Sequence, residues 1–231
     1  MQFTTTNLSD INPEKILFCS DFHLNHDKEF LWGKRACSSA DEHKQKIYEA
    51  WDTYVDDETV VFHLGDSHFR DGNGAHFDEF SRLPAANIFC LWGNHNSGAK
   101  TCYRKALEEF ELPHNVEVYP MAYNNVVFLG DSHFIRHRSQ VIFLSHFAHR
   151  IWDGMGKNVW HLHGHSHGSD KERLPDSFRQ KALDVGVEVA INYHGEFNPF
   201  FTLNDIRDIM KKKKFVQQDH HDFSTSSSRK F

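Results

Sequence analysis

Hydrophobic residues in this chain fall in short, dense runs, and the first of them alternate with helical patterns. Ile16, Leu17, Phe18 and Cys19 form an apolar run of strand length, residues 15–20, that ends at Asp21. Ser39 with Glu42 three residues later has the form of a capping box. Ile47, Ala50, Trp51 and Tyr54 then follow at i, i+3, i+4, i+7, one face of a helix. Residues 59–64 predict a second buried strand, ending at Gly65-Asp66, and Phe77, Phe80 and Leu83 predict a short helix. Residues 87–92 predict a third strand, ending at Gly93-Asn94-His95, and Tyr103, Ala106, Leu107 and Phe110 mark the next helix. Strand and helix in alternation predict parallel strands joined by crossover helices. In such sheets ligands bind beyond the carboxyl ends of the strands.

The second half has a different texture. Residues 116–118, 126–129, 134–137, 141–144 and 159–162 predict short strands separated by turns, hence a hairpin-rich, mixed sheet. Residues 181–189 predict one or two further strands, and 202–210 a last short helix. From Lys211 onward four lysines and a Ser/His/Asp-rich stretch carry no apolar period. One domain over residues 1–210 is therefore expected, followed by a tail over 211–231, the last fifteen or so residues disordered.

Composition narrows the function classes. The 231 residues suit one sizeable domain, and 39% hydrophobic content with 21 Phe can build its core. Nothing approaches the 18 or so apolar residues of a membrane span, and the polar start offers no signal peptide. Cys19, Cys37, Cys90 and Cys102 stand singly, with no CxxC pair, which predicts buried free thiols and a cytoplasmic, reducing setting. A net charge of −6 argues against a basic surface that coats long duplex nucleic acid, while leaving room for a small nucleotide substrate.

The chemistry sits at the ends of the apolar runs. Asp21-Phe22-His23, Gly65-Asp66, Gly93-Asn94-His95, Ser145-His146 and Gly164-His165-Ser166-His167 offer carboxylates, an amide and imidazoles, with no thiolate. Such a donor set suits a pair of divalent transition ions better than one structural zinc. Several imidazoles favour Mn, Fe, Zn, Co or Ni over Mg.

Asp-x-His, Gly-Asp, Gly-Asn-His, a lone His after an apolar strand and Gly-His-x-His, in this order, resemble the calcineurin-like metallophosphoesterase superfamily. The resemblance runs over roughly residues 15 to 210, and Asp184-Val185-Gly186-Val187 and Asn198-Pro199-Phe200 are similar to the closing segments of its small, cap-less bacterial and phage members. It implies an α/β fold, a two-sheet αββα sandwich with mixed β-sheets. It also implies two divalent metal ions, manganese favoured. One would be held by Asp21, His23, Asp66 and His167, the other by Asp66, Asn94, His146 and His165, with Asp66 bridging. The activity implied is hydrolysis of small phosphodiesters, nucleotides included, by a metal-bound hydroxide. The alternatives are a phosphomonoesterase or protein phosphatase of the same fold, and a non-catalytic metal-binding scaffold. His95 resembles the histidine that assists the leaving group, and with Asn94 it would contact substrate. Many relatives place an Asp after Gly-Asn-His to orient this histidine. Here it is Asn96, which can accept a ring N–H but brings no charge.

Some residues compete for these roles. Leu-Gly-Asp-Ser-His-Phe occurs twice, and Asp66 is preferred to Asp131 because its copy ends a strand of the alternating half, whereas Asp131 sits in ordinary turn chemistry. His68 and His133 are not expected as ligands, although His68 stands close in sequence to the site. His146 is preferred to His149 because it directly follows a strand. His149 and Arg150 are candidates for substrate phosphate. His163 alternates with His165 and His167 and is expected in the core or behind the site. His26, His43, His76, His114, His137, His194, His220 and His221 are expected to be solvated, and Trp92 and Trp152 to be core.

Overall fold

The structure is a computed structural model that describes residues 5–169 and 181–213; most of the expected tail lies outside these. Eleven strands among the described residues form two sheets. The larger sheet has β2 (Ile16–Cys19), β3 (Val60–His63), β4 (Asn87–Cys90) and β6 (Val126–Phe128) mutually parallel, in that order across the sheet. β5 (Met121–Tyr123) and β11 (Phe201–Thr202) close its two edges antiparallel. The crossovers carry α2 (Ala40–Tyr54), α3 (Ala75–Phe80) and α4 (Ser97–Glu109), as the periodicity predicts; α1 (Glu29–Trp32) is one extra turn.

The smaller sheet has the order β1 (Thr5–Asn7), β7 (Ser132–His137), β8 (Gln140–Ser145), β9 (Trp160–His163) and β10 (Ala182–Asp184). It is mixed: β7–β8 is a hairpin, whereas β8, β9 and β10 run parallel. The last two described helices are α5 (Val187–His194) and α6 (Leu203–Lys212). The fold is an α/β sandwich.

Alternation along each strand explains how the layers stack. In β2, Ile16 and Phe18 enter the core between the sheets, while Leu17 and Cys19 face the core under the helices. Val60, Phe62, Ile142, Leu144, Trp160 and Leu162 complete the inter-sheet core, with Phe62 stacked between Phe18 (5.4 Å) and Phe89 (4.9 Å). Ile47, Trp51, Phe77, Phe80, Ala106 and Leu107 bring α2, α3 and α4 onto the other face. Both faces of β2 and β3 are thus buried, which is why they appear as unbroken apolar runs. On the outer face of the smaller sheet Phe134 and Phe143 pack with Trp152 and Met155 from the connection before β9.

Four expectations need correction. Residues 116–118 are not a strand; the chain forms β5 just after them, where Met121 and Tyr123 point inward around an exposed Ala122. Residues 187–189 belong to α5, because Gly186 starts a helix where the apolar run looked like a strand. β1 was not foreseen, since its burial is slight and it exists only by pairing with β7. His26, His43 and His137 are buried instead of solvated, with His43 bonded to Arg35 and His137 to Arg207 and the Ile11 carbonyl. His220 and His221 lie outside the described residues. All four cysteines are free and buried, and among the described residues no helix is long and apolar enough to cross a membrane.

Candidate metal centre

Every sequence cluster lies just past the carboxyl end of a strand: Asp21 and His23 after β2, Asp66 after β3, Asn94 and His95 after β4, His146 after β8, His165 and His167 after β9. β2, β3 and β4 are parallel, as are β8 and β9, so each set of ends shares one sheet edge. A bridge between Ser20 and Gly186 and the hydrogen bond from the His165 amide to Asp21 Oδ2 (2.8 Å) join the two edges.

Two groups result, each with its ligand atoms within 4.8 Å of one another: Asp21, His23 and His167, and Asp66, His146 and His165. Asp66 Oδ2 touches both groups, 3.6 Å from His23 Nε2 and 3.4 Å from His146 Nε2. Asn94 Oδ1 lies 3.1 Å from the same His146 nitrogen. The structure thus brings together all seven residues proposed as ligands. Asp131 is exposed and in neither group.

The backbone there is unusual. Asp21, His23, Asp66, His165 and His167 all have φ between 48° and 66°, a left-handed conformation that side-chain-bearing residues adopt at a cost. Glycines make the necessary room. A Cβ on Gly93 would fall 2.0 Å from Asp66 Oδ1, and one on Gly164 would fall 2.5 Å from Asp21 Oδ2.

Each carboxylate is split between two tasks. Asp21 Oδ2 and Asp66 Oδ1 accept backbone amides, from His165 and His95 (2.7 Å) respectively. The other oxygens face imidazoles. Asp21 Oδ1 is buried with no hydrogen-bond partner, 3.7 Å from His23 Nε2 and 3.8 Å from His167 Nε2. The proton of His167 sits on Nδ1, given to Glu188 Oε1 (3.0 Å), and that of His146 on Nδ1, given to the Leu64 carbonyl (2.8 Å). Their Nε2 atoms, the ones left to meet a cation, therefore face the carboxylates. Ligand bonds of about 2.0–2.2 Å put neighbouring donors about 3–3.5 Å apart around a shared ion. The observed 3.4–3.8 Å is close to that, and longer than an ordinary hydrogen bond. The donor set fits divalent cations.

The charges agree. Burial pushes the Asp21 and Asp66 carboxyls up, but hydrogen bonds and the surrounding imidazoles, His23 at Asp21 and His146 at Asp66, hold both below the usual carboxylate range. Burial pushes His146 and His167 down, yet Asp66 and Glu188 hold them above the ordinary imidazole value. Without a cation the carboxylates thus favour protons on His146 and His167, with which a cation would compete.

The remaining candidates separate clearly. His95 is exposed, its ring between those of His23 (5.4 Å) and Phe69 (5.1 Å). Among the described residues no hydrogen bond joins it to Asn96, which is the N-cap residue of α4 and whose amide nitrogen is buried without a partner. Ring contacts, and no bond from Asn96, therefore position His95 among the described residues. His68 lies in the core against Phe77 and Phe80, and His133 bonds Thr6 Oγ1 at the sheet edge. His149 packs on Phe143 and His161, and Arg150 is exposed beside it. His163 is buried in β9, paired with Asp184.

Two residues escaped the sequence reading. Glu188 had a signal, as a carboxylate flanked by Val187 and Val189 in an otherwise apolar stretch after Asp184. Arg35, wholly buried, had none, because its neighbours along the chain are those of a charged loop.

No family model matches the chain. It is 26% identical over 184 residues to an uncharacterized protein of Methanocaldococcus jannaschii, covering 79% of this chain and 86% of that one. The solved structure of a protein of unknown function from Aquifex aeolicus shares the fold at a TM-score of 0.54, with 16% identity, over 84% of this chain and 98% of that one. A protein from Streptococcus pneumoniae described as a predicted phosphoesterase overlaps at a TM-score of only 0.29, with 17% identity and 66% and 62% coverage, too little to bear on function.

Proposed function

We propose that this chain is a phosphoesterase dependent on two divalent cations, acting on small phosphodiesters, nucleotides included. The observation that carries the reading is Asp21 Oδ1: a buried, unpartnered carboxylate oxygen facing two imidazole nitrogens, one of which has committed its proton elsewhere. Such an arrangement is costly unless a cation occupies the space between the lone pairs.

Asp21, His23, Asp66 and His167 would hold one cation, and Asp66, Asn94, His146 and His165 the other, manganese favoured. Bound there, the pair would supply Lewis-acid charge for a phosphoryl group and lower the pKa of water near neutrality. The chain's own contribution is positioning. Asp66 Oδ2 reaches histidines of both groups, and its other oxygen is pinned by the His95 amide. Asn94 adds a ligand without charge, so the net positive charge that attracts a phosphate is kept. His95, exposed beside His23, would present a ring N–H to the leaving oxygen or to a phosphate oxygen.

The test is reconstitution with Mn(II), followed by assays of an aryl diester, an aryl monoester and a nucleotide panel. Diester turnover abolished by chelator is expected. A preference for the monoester would move the reading to a phosphatase, and hydrolysis that survives chelator would sink the cation assignment. Stoichiometric cation binding without turnover would leave the scaffold alternative.

A further inference from the structure

Arg35 is wholly buried, yet each of its five N–H groups has a use. Nη2 donates to the Asp21 carbonyl (2.7 Å) and pairs with Glu188 Oε1 (2.9 Å). Nη1 donates to the Phe22 carbonyl (2.8 Å) and meets His43 Nε2 (2.8 Å), and Nε donates to Glu188 Oε1 (3.0 Å). The carbonyls belong to the turn that carries Asp21 (φ 61°) and His23 (φ 48°) in left-handed conformations. The same Glu188 oxygen accepts from His167 Nδ1 (3.0 Å).

One buried ion pair therefore grips both ends of one ligand group: the backbone under Asp21 and His23, and the ring of His167. Among the described residues the other group has no such pair, for His146 is fixed by the neutral Leu64 carbonyl. A carboxylate behind a ligating imidazole fixes its tautomer and raises its basicity, and losing such a partner costs about 10–100-fold in metal affinity.

Resting on the two-cation reading above, we infer that Arg35 and Glu188 are positioning residues that set cation affinity at the Asp21/His23/His167 half of the centre and leave the other half untouched. Arg35 holds the strained turn by geometry, and Glu188 supplies charge to His167. The two contributions are separable. Glu188→Gln keeps shape and removes the charge, whereas Arg35→Lys keeps charge and loses the planar fork that reaches two carbonyls and a carboxylate together.

The experiment titrates full-length protein with Mn(II), reading free Mn(II) by electron paramagnetic resonance, with thermal unfolding of the cation-free proteins as the folding control. Wild type should show two binding steps. In Glu188→Gln one step should weaken about 10–100-fold, in Arg35→Lys the same step by about tenfold or more, with the other step within threefold in both. His165→Ala should instead weaken the complementary step. If either folded variant leaves both steps unchanged, or weakens them equally, the inference is overturned. If wild type binds no Mn(II), the two-cation reading itself fails, a different result from a variant that matches a two-step wild type.

Discussion

The backbone amide of His165 donates to Oδ2 of Asp21 at 2.8 Å, across 144 positions of sequence and between two sheets. That bond occupies one carboxylate oxygen and leaves Oδ1 aimed at His23 and His167. Asp66 repeats the arrangement with the His95 amide. In both cases a residue within another of the clusters orients an aspartate through its backbone amide. The fold thus prepares two anionic oxygens before any cation arrives, which is how a centre gains affinity without reorganisation.

The repeated hexapeptide makes the first prediction sharp. Asp66→Asn removes the charge that touches both ligand groups, so diester hydrolysis should fall by at least 10³-fold and Mn(II) binding should lose a step. Asp131→Asn, at an exposed position in neither group, should stay within twofold of wild type. Steady-state kinetics on both variants decides it, and the reverse pattern would show that the wrong copy has been assigned.

Much of this site was legible because donor clusters at strand ends follow from topology: apolar runs locate β2, β3, β4, β8 and β9, and parallel strands bring the polar residues just after them to shared sheet edges. The less legible part depends on packing. Val187 and Val189 are β-branched and apolar, yet after Gly186 the segment is a helix, with Val189 and Ala190 docked in the inter-sheet core. β1 has no apolar signature because pairing with β7 alone makes it a strand. His43 looked solvated because it lies among charged residues of α2; only the three-dimensional position of Arg35 explains its burial. The Asn96 side chain, able in principle to accept the His95 ring N–H, makes no such bond among the described residues from its place at the N-cap of α4.

Gly93 predicts a steric effect on the centre. Its missing Cβ would lie 2.0 Å from Asp66 Oδ1 and 2.6 Å from the Asp66 nitrogen, both rigidly held. Gly93→Ala should therefore cost about 1–3 kcal/mol of stability, as overpacking does, and weaken cation binding. Gly156→Ala, where an added Cβ meets nothing within 4 Å, is the control and should change neither. Denaturant unfolding and Mn(II) titration of both variants supply the comparison; equal behaviour would refute the cradle.

His95 should contribute less than a well-oriented general acid. Such groups supply about 10²–10⁴-fold, but this ring is held only by contacts with His23 and Phe69. His95→Ala is expected to lower kcat on an aryl diester by roughly 10–100-fold, with Mn(II) binding intact. A loss beyond about 10³-fold would mean that substrate itself orients the ring, and a loss below threefold would remove His95 from the reaction.

Acid weakens the fold through a group away from the centre. His161 is wholly buried, its Nδ1–H directed at the Phe143 carbonyl (3.3 Å) and its Nε2 accepting the His149 amide (3.1 Å). A second ring proton would oppose the His149 N–H, and burial, helped by nearby His163, pushes this imidazole well below its ordinary 6.5. The unfolded chain therefore binds the proton that the folded one refuses. Stability from this group is intact above about pH 6.5 and is lost progressively as pH falls below it. His43, pushed down to about 3 by burial and by Arg35, acts in the same direction. His146 and His167, held above the ordinary value, act in the opposite one, so total stability does not isolate His161. The difference between wild type and His161→Phe does. Between pH 6.5 and 5.0 cation-free wild type should lose up to about 2 kcal/mol relative to the variant, at about 1.4 kcal/mol per pH unit. Thermal unfolding in chelator across that range should lower the wild-type midpoint relative to that of the variant as pH falls; curves that stay parallel would show that His161 does not titrate against folding.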